Sequence, residues 1–171
     1  GKMPSVEITK SVDYIGSAAF ANASNLNTIT VDSENTNYFV EDNVLYRVFN
    51  DRYGKTKYEL ITYPAAKVAT AGTIVIKEGT VAIKAYAAAG LNSGVATKVI
   101  IPYSVKTIGS GAFALSGIKD YTFHPITAPK LLTEIMDTGL DGFRGLTYIN
   151  FETTLLSFID LNDFSNPTSS K

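Results

Sequence analysis

Short segments of β-branched and aromatic residues recur along the chain: VEI at 6–8, ITV at 29–31, IVI at 74–76, VII at 99–101, YTF at 121–123 and YINF at 148–151. Segments of this composition predict short strands with one face buried. Their last residues, Ile8, Val31, Ile76, Ile101, Phe123 and Phe151, are separated by 23, 45, 25, 22 and 28 residues, a unit near 23 with one double step. Parallel strands joined by a helical crossover take about 30 residues or more. A shorter unit predicts strands that stack one coil above the next in a solenoid.

The turn after the strand also repeats. ITKSVDYIGSAAF at 8–20 and IPYSVKTIGSGAF at 101–113 align without gaps and share eight of thirteen positions: Ile, Ser, Val, Ile, Gly, Ser, Ala and Phe. A weaker copy, IKEGTVAIKAYAA at 76–88, keeps Ile76, Ile83 and Ala87 at the same offsets and has Ala88 where the others have Phe20 and Phe113. In each coil, Val12 or Val105 and Ile15 or Ile108 supply further inward apolar groups, and the Ala-Phe pair closes the turn. Each buried Ile or Phe stabilises by roughly 1.5–3 kcal/mol, but one coil cannot bury this face alone.

The double step holds DNVLYRVF at 42–49 and KYELITYP at 57–64, joined by NDRYGKT with its turn formers Asn50, Asp51 and Gly54. This predicts a β-hairpin. Its second arm ends in Tyr-Pro as 99–102 ends in Ile-Pro, so residues 60–64 are expected to supply the strand of the missing coil.

The phrase IPYSVKTIGSGAF resembles the BspA-like leucine-rich repeat, whose pattern runs I-P-x-x-V-x-x-I-G-x-x-A-F. The stretch NYFVEDNVLYRV…YELITYPAAK resembles the insertion that such proteins carry, with D-G-V-L-Y and L-I-x-Y-P-A-x-K elements. Asn43 stands at the glycine of the first element, a mild change because Asn tolerates the left-handed turn. Residues 124–151 resemble the divergent closing repeat. The resemblance implies a mostly β, right-handed leucine-rich-repeat solenoid of about five to six coils with an inserted hairpin. It also implies an extracellular or cell-surface location and a role in binding. A single domain over 1–171 is expected, with the hairpin at about 38–64 and a cap at about 124–165.

Fifteen basic and sixteen acidic residues give a formal charge of −1, with no long run of either sign. Nothing here steers nucleic acid or an anionic membrane. The longest apolar stretches are far below the ~20 residues that span a bilayer. With no cysteine, disulfides, zinc ribbons and thiol nucleophiles are excluded. The chain opens GKMPSV without a basic-then-apolar leader, so no signal peptide is expected within it.

Four features hint at chemistry, and each has a plainer explanation. IMDTGLDGF at 135–143 resembles the loop of aspartic proteases, but that mechanism needs two such carboxylates, and Asp137 lies in a single copy. A peptidase acting through Asp137 is therefore a remote alternative to a turn in the closing repeat. The glycines of IGSGAFA at 108–114 mimic a dinucleotide fingerprint, yet Ala18 replaces the second glycine in the twin copy. His124 is the single histidine and has no partner for a metal cluster or relay, and the acidic groups at 32–35 and 41–43 lack the spacing of a calcium loop. No cofactor or metal is expected.

If Val6, Ile8, Ile29, Val31, Ile74, Ile76, Val99, Ile101, Tyr121 and Phe123 point inward, then Glu7, Thr30, Val75, Ile100 and Thr122 face out along one ladder. Val75 and Ile100 would form a small apolar patch flanked by Thr30 and Thr122. Tyr53 and Tyr58, within a cluster of hairpin tyrosines, are a second candidate surface. These six residues are the expected ligand contacts of a non-catalytic adhesion module for a protein or glycan. The alternative is a structural spacer or carbohydrate-targeting module of a larger secreted protein.

Overall fold

A computed structural model describes residues 3–21, 23–67, 72–91, 95–102, 104–114, 116–118, 120–123 and 148–151, with the last four and Phe123 described by their backbone alone. The regular structure among them is β-strand. The chain runs β1 (Ser5–Ile8), β2 (Thr28–Val31), β3 (Tyr38–Glu41), β4 (Val44–Asn50), β5 (Thr56–Thr62), β6 (Thr73–Val75), β7 (Thr80–Ile83), β8 (Lys98–Ile101), β9 (Thr107–Ile108), β10 (Asp120–Phe123) and β11 (Tyr148–Phe151). Together they make a mostly β solenoid of about five turns.

The strands expected from the hydrophobic pattern pair in parallel at the expected spacing. Ile8 lies opposite Val31, and the series Val75, Ile100 and Thr122 is in register across β6, β8 and β10, with Thr122 opposite Asn150 of β11. Ile29, Ile74, Ile76, Val99, Ile101 and Tyr121 are all buried, as alternation requires.

Each later coil carries a second ladder, made from the turn phrase. β5, β7 and β9 pair in parallel, with Leu60 opposite Ile83 and Ile83 opposite Ile108. Leu60 therefore supplies a strand to the missing coil, but in this second ladder and not in the first, where the Tyr-Pro match had placed it. Backbone bonds extend the ladder past the strand ends: Tyr63 N–H to Ala87 O at 2.7 Å, and Ala88 N–H to Ala112 O at 2.7 Å. Thr80 takes the slot of Val105 in the weak copy. It is fully buried, and its hydroxyl donates to Lys77 O at 2.7 Å, which offsets the cost of a polar group there.

The glycines of the phrase are structural. Gly111, Tyr86 and Ala18 occupy one offset in three copies, and all three have φ near +60° (63°, 58° and 62°). The offset is thus a left-handed corner that glycine fills without strain and that two copies fill at some cost. Gly109 serves a different purpose, since a Cβ there would lie 2.3 Å from the backbone nitrogen of Ala85 in the coil beside it.

The insertion has one strand more than the hairpin expected. β3, β4 and β5 form an antiparallel meander, and β5 joins it to the second ladder. Asp42 and Asn43 both have positive φ, 48° and 61°, the conformation of a two-residue turn that matches strand twist. The meander divides the interior. Leu45 packs with Ile8, Leu26, Ile29, Tyr38 and Ile61, whereas its neighbours Val44 and Tyr46 pack with Leu60, Ile74, Ile83, Val99 and Ile108. The apolar interior is therefore not one continuous spine down the stack: two cores share β4 as a wall. Phe113 is buried in the larger core, edge-on to Tyr121 at 5.3 Å, while Phe20 is half-buried against the smaller one.

The first ladder breaks at the same place. β1 and β2 form their own two-stranded sheet, apart from β6, β8, β10 and β11. Where the next strand would pair with β2, the Asn43 side chain stands in. Its Oδ1 accepts from Ile29 N–H at 2.8 Å and its amide donates to Asn27 O. Asn35 joins the first two coils in a similar way. Its amide donates to Thr9 O and Val12 O at 2.8 and 2.9 Å, and its Oδ1 accepts from the Asn37 and Tyr38 N–H groups, each at 2.9 Å.

Candidate functional site

The ladder break leaves a cleft of about 130 Å3 between the β3–β4 turn and β6, lined by Glu41, Asp42, Val44, Tyr46, Tyr63, Lys67 and the β6 residues. Two carboxylates of its lining, Glu41 and Asp42, are ion-paired. Lys77 Nζ lies 2.6 Å from Glu41 Oε1, and Lys67 Nζ lies 3.2 Å from Asp42 Oδ2. Both tie the meander tip to segments that follow it in the chain.

Two phenols line the cleft. The Tyr46 hydroxyl accepts from Lys77 N–H at 3.2 Å. The Tyr63 hydroxyl is buried and has no hydrogen-bond partner among the described residues, and Lys67 Nζ sits 5.2 Å from its ring centroid. Burial pushes both phenols up to about 12, and the Asp42 carboxylate adds to the effect at Tyr63. At neutral pH both are therefore uncharged hydrogen-bonding groups, unsuited to act as bases or nucleophiles. The site offers paired donors and acceptors with no net charge.

The expected contact residues are dispersed around this cleft. Val75 is on its rim and 65% exposed, and Ile100, half-buried, is its partner across the β6–β8 register. Thr122 is next to Ile100 but only 2% exposed, so it does not face solvent as alternation had suggested. It sits on β10 between β8 and β11, and its hydroxyl turns to Asp120 Oδ1 at 3.3 Å. Thr30 is exposed but belongs to the separate β1–β2 sheet. Thr30 therefore does not flank the apolar pair, and Thr122 flanks it in register but as a buried side chain.

Tyr53 and Tyr58 are also apart. Tyr53 is 71% exposed in the β4–β5 turn beneath the Arg52 guanidinium. Tyr58 is half-buried in an aromatic group with Phe39 and Tyr46, at ring distances of 5.4 and 6.5 Å. Its neighbour Lys77 lies 5.0 Å from the ring, so the hairpin tyrosines mainly pack the meander against the solenoid. His124 and Asp137, and the expected cap apart from β11, lie outside the described residues.

Sequence reasoning found Val75 through alternation but missed the rest of the cleft. Its walls come from residues such as Asp42 and Lys67, which meet across 25 residues of chain in a contact that no local pattern encodes. The one available signal was the double step in the repeat, which marks where the ladder is interrupted.

Among the described residues, no helix is long and apolar enough to cross a membrane. A search of curated proteins gives no match. Among solved structures, a leucine-rich repeat protein from Eubacterium ventriosum ATCC 27560 is 30% identical with a TM-score of 0.64, over 88% of this chain and 37% of that one. A leucine rich cell surface protein from Faecalibacterium prausnitzii A2-165 is 24% identical with a TM-score of 0.62, over 86% and 38%. The pneumococcal vaccine antigen PcpA shares the fold at 17% identity and a TM-score of 0.51, over 95% and 48%. The chain thus spans less than half the length of each of these proteins. The pattern of the BspA type leucine rich repeat region matches six copies over residues 2–50 and 67–171, and the chain belongs to that family.

Proposed function

We propose that the chain is a non-catalytic recognition module, displayed on a bacterial cell surface, that binds a protein or glycan through the outer face of β6 and β8. The observation that carries this reading is the exposure of Val75, 65%, on a strand whose register partner Ile100 extends the apolar surface. Solenoids commonly recognise ligands on such open faces, where a flat array of side chains meets a partner without moving the backbone. The surface location is supported by the naming of the Faecalibacterium protein as a cell surface protein. The non-catalytic reading is supported by a cleft whose carboxylates are ion-paired and whose phenols stay neutral.

The test is retention on arrays of glycans and extracellular-matrix proteins, comparing the chain with a Val75→Lys, Ile100→Thr variant. Threonine is chosen at 100 because that side chain is half-buried. At least one saturable ligand is expected, weakened about tenfold or more by the double substitution, as burying a lysine charge against an apolar contact requires. Retention that the variant leaves unchanged excludes this face.

A second reading, a structural spacer of a longer secreted protein, is favoured by the chain's short span relative to the solved proteins. It predicts no saturable ligand on either array. The remote peptidase reading predicts a pepstatin-sensitive activity that Asp137→Asn abolishes.

A further inference from the structure

We propose that the cleft between the β3–β4 turn and β6 is a subsite for one neutral sugar residue, recognised through a pair of adjacent hydroxyls. This rests on the reading of the chain as a recognition module and names the chemistry that one part of its surface would read. Four observations converge on it.

First, the Tyr63 hydroxyl is buried within a side chain only 4% exposed, and it has no partner among the described residues. A polar group left unpaired in the interior is costly, so a ligand oxygen that pairs it gains what the folded chain lacks.

Second, Lys67 stands beside this phenol as a further donor. Its ammonium lies over the Tyr63 ring and is held by Asp42, whose side chain is 81% exposed. The Lys67 side chain itself is only 14% exposed, so the ammonium is held at the edge of the cleft while the Asp42 carboxylate keeps open positions that can accept further hydrogen bonds.

Third, the charges balance. Glu41 and Asp42 are matched by Lys77 and Lys67. An anion or a cation would have to leave one of these groups without its counterion. A neutral diol breaks no such balance: one hydroxyl accepts from Tyr63 or Lys67, and its neighbour donates to the Asp42 carboxylate.

Fourth, the size and the rim fit. About 130 Å3 is well below the ~300 Å3 of a typical drug-sized pocket and suits a single ring. The exposed methyls of Val75 on the rim offer an apolar contact for the C–H face of that ring.

The test is an NMR titration of the intact chain with the methyl glycosides of glucose, galactose, mannose and N-acetylglucosamine, each beside its free sugar. Inorganic phosphate and acetate serve as charged comparisons. At least one glycoside is expected to give saturable shifts at Val75 and Lys67, with neither anion doing so. Binding of the glycoside as tightly as the free sugar assigns the subsite to the end of a glycan chain, and preference for the free sugar assigns it to a monosaccharide. Tyr63→Phe removes only the unpaired oxygen, so it should fold normally and weaken binding about five- to tenfold. The subsite is overturned by the absence of saturable shifts with every glycoside, by binding that Tyr63→Phe leaves unchanged, or by anions competing at the same residues. Array ligands that survive such a result and still depend on Val75 leave the broader recognition reading standing.

Discussion

Asn43 Oδ1 accepts the Ile29 N–H at 2.8 Å, so a turn residue of the meander completes the open edge of β2. A strand edge carries unpaired backbone groups that must be satisfied by another strand, by water or by a side chain. Here one amide fills that role for both Ile29 N–H and Asn27 O, while its own positive φ closes the β3–β4 turn. Asn43→Gly keeps the turn and deletes the side-chain bonds. It should lower unfolding stability by about 1–3 kcal/mol, two hydrogen bonds at roughly 0.5–1.5 kcal/mol each. Amide exchange at Ile29 should accelerate in parallel. Unchanged stability in a urea titration would show that the amide contributes nothing at this edge.

Gly109 allows two coils to touch backbone to backbone. Gly109→Ala places a methyl 2.3 Å from Ala85 N, and because the obstacle is main chain it cannot rotate away. A loss of about 3 kcal/mol or more is expected, at the upper end of overpacking costs. Gly54, in the β4–β5 turn, has positive φ but open space around its Cβ position, so Gly54→Ala should cost only about 1 kcal/mol. Thermal unfolding of the pair separates close approach from backbone conformation.

Tyr46 makes stability fall at high pH. Its folded pKa, about 12, lies above the ordinary value of 10.0 because burial disfavours the phenolate. Between these values the unfolded chain has lost the proton that the folded chain retains. The tyrosine's contribution is therefore whole below pH ~10 and declines as pH rises toward ~12, at up to ~1.4 kcal/mol per pH unit. Tyr63 shifts in the same direction. Tyr46→Phe should lose stability at neutral pH, where its bond to Lys77 N–H is removed, and show a shallower alkaline decline than the parent chain.

The parallel strands could be read from the sequence because their cause is local. Val99 and Ile101 face inward while Lys98 and Ile100 face outward less completely, and alternation alone assigns the sides. The left-handed corner was not legible: Ala18 in the twin copy excludes a phosphate role, but Ala18 and Tyr86 at that offset also mask the positive φ they share with Gly111. The break between β2 and β6 was not legible either. It depends on Asn43 meeting Ile29 and on Lys67 meeting Asp42 across 25 residues, contacts that no periodicity records. Thr122 misled for a related reason. Alternation places a side chain on a face of the sheet but does not say what covers that face, and Thr122 is buried. Leu60 was assigned to the right coil and the wrong ladder, because Tyr-Pro resembles Ile-Pro in composition while the pairing follows Ile83.

The central claim is that the inserted meander joins the solenoid through the second ladder. The most direct measurement is a set of cross-strand NOEs from isotope-labelled chain. The account predicts backbone contacts of Leu60 with Ile83, and of Ile83 with Ile108, and none of Leu60 with Val99 or Ile101 along the first ladder. Backbone NOEs placing Leu60 in register with Ile101, or no contact between Leu60 and Ile83, would contradict it.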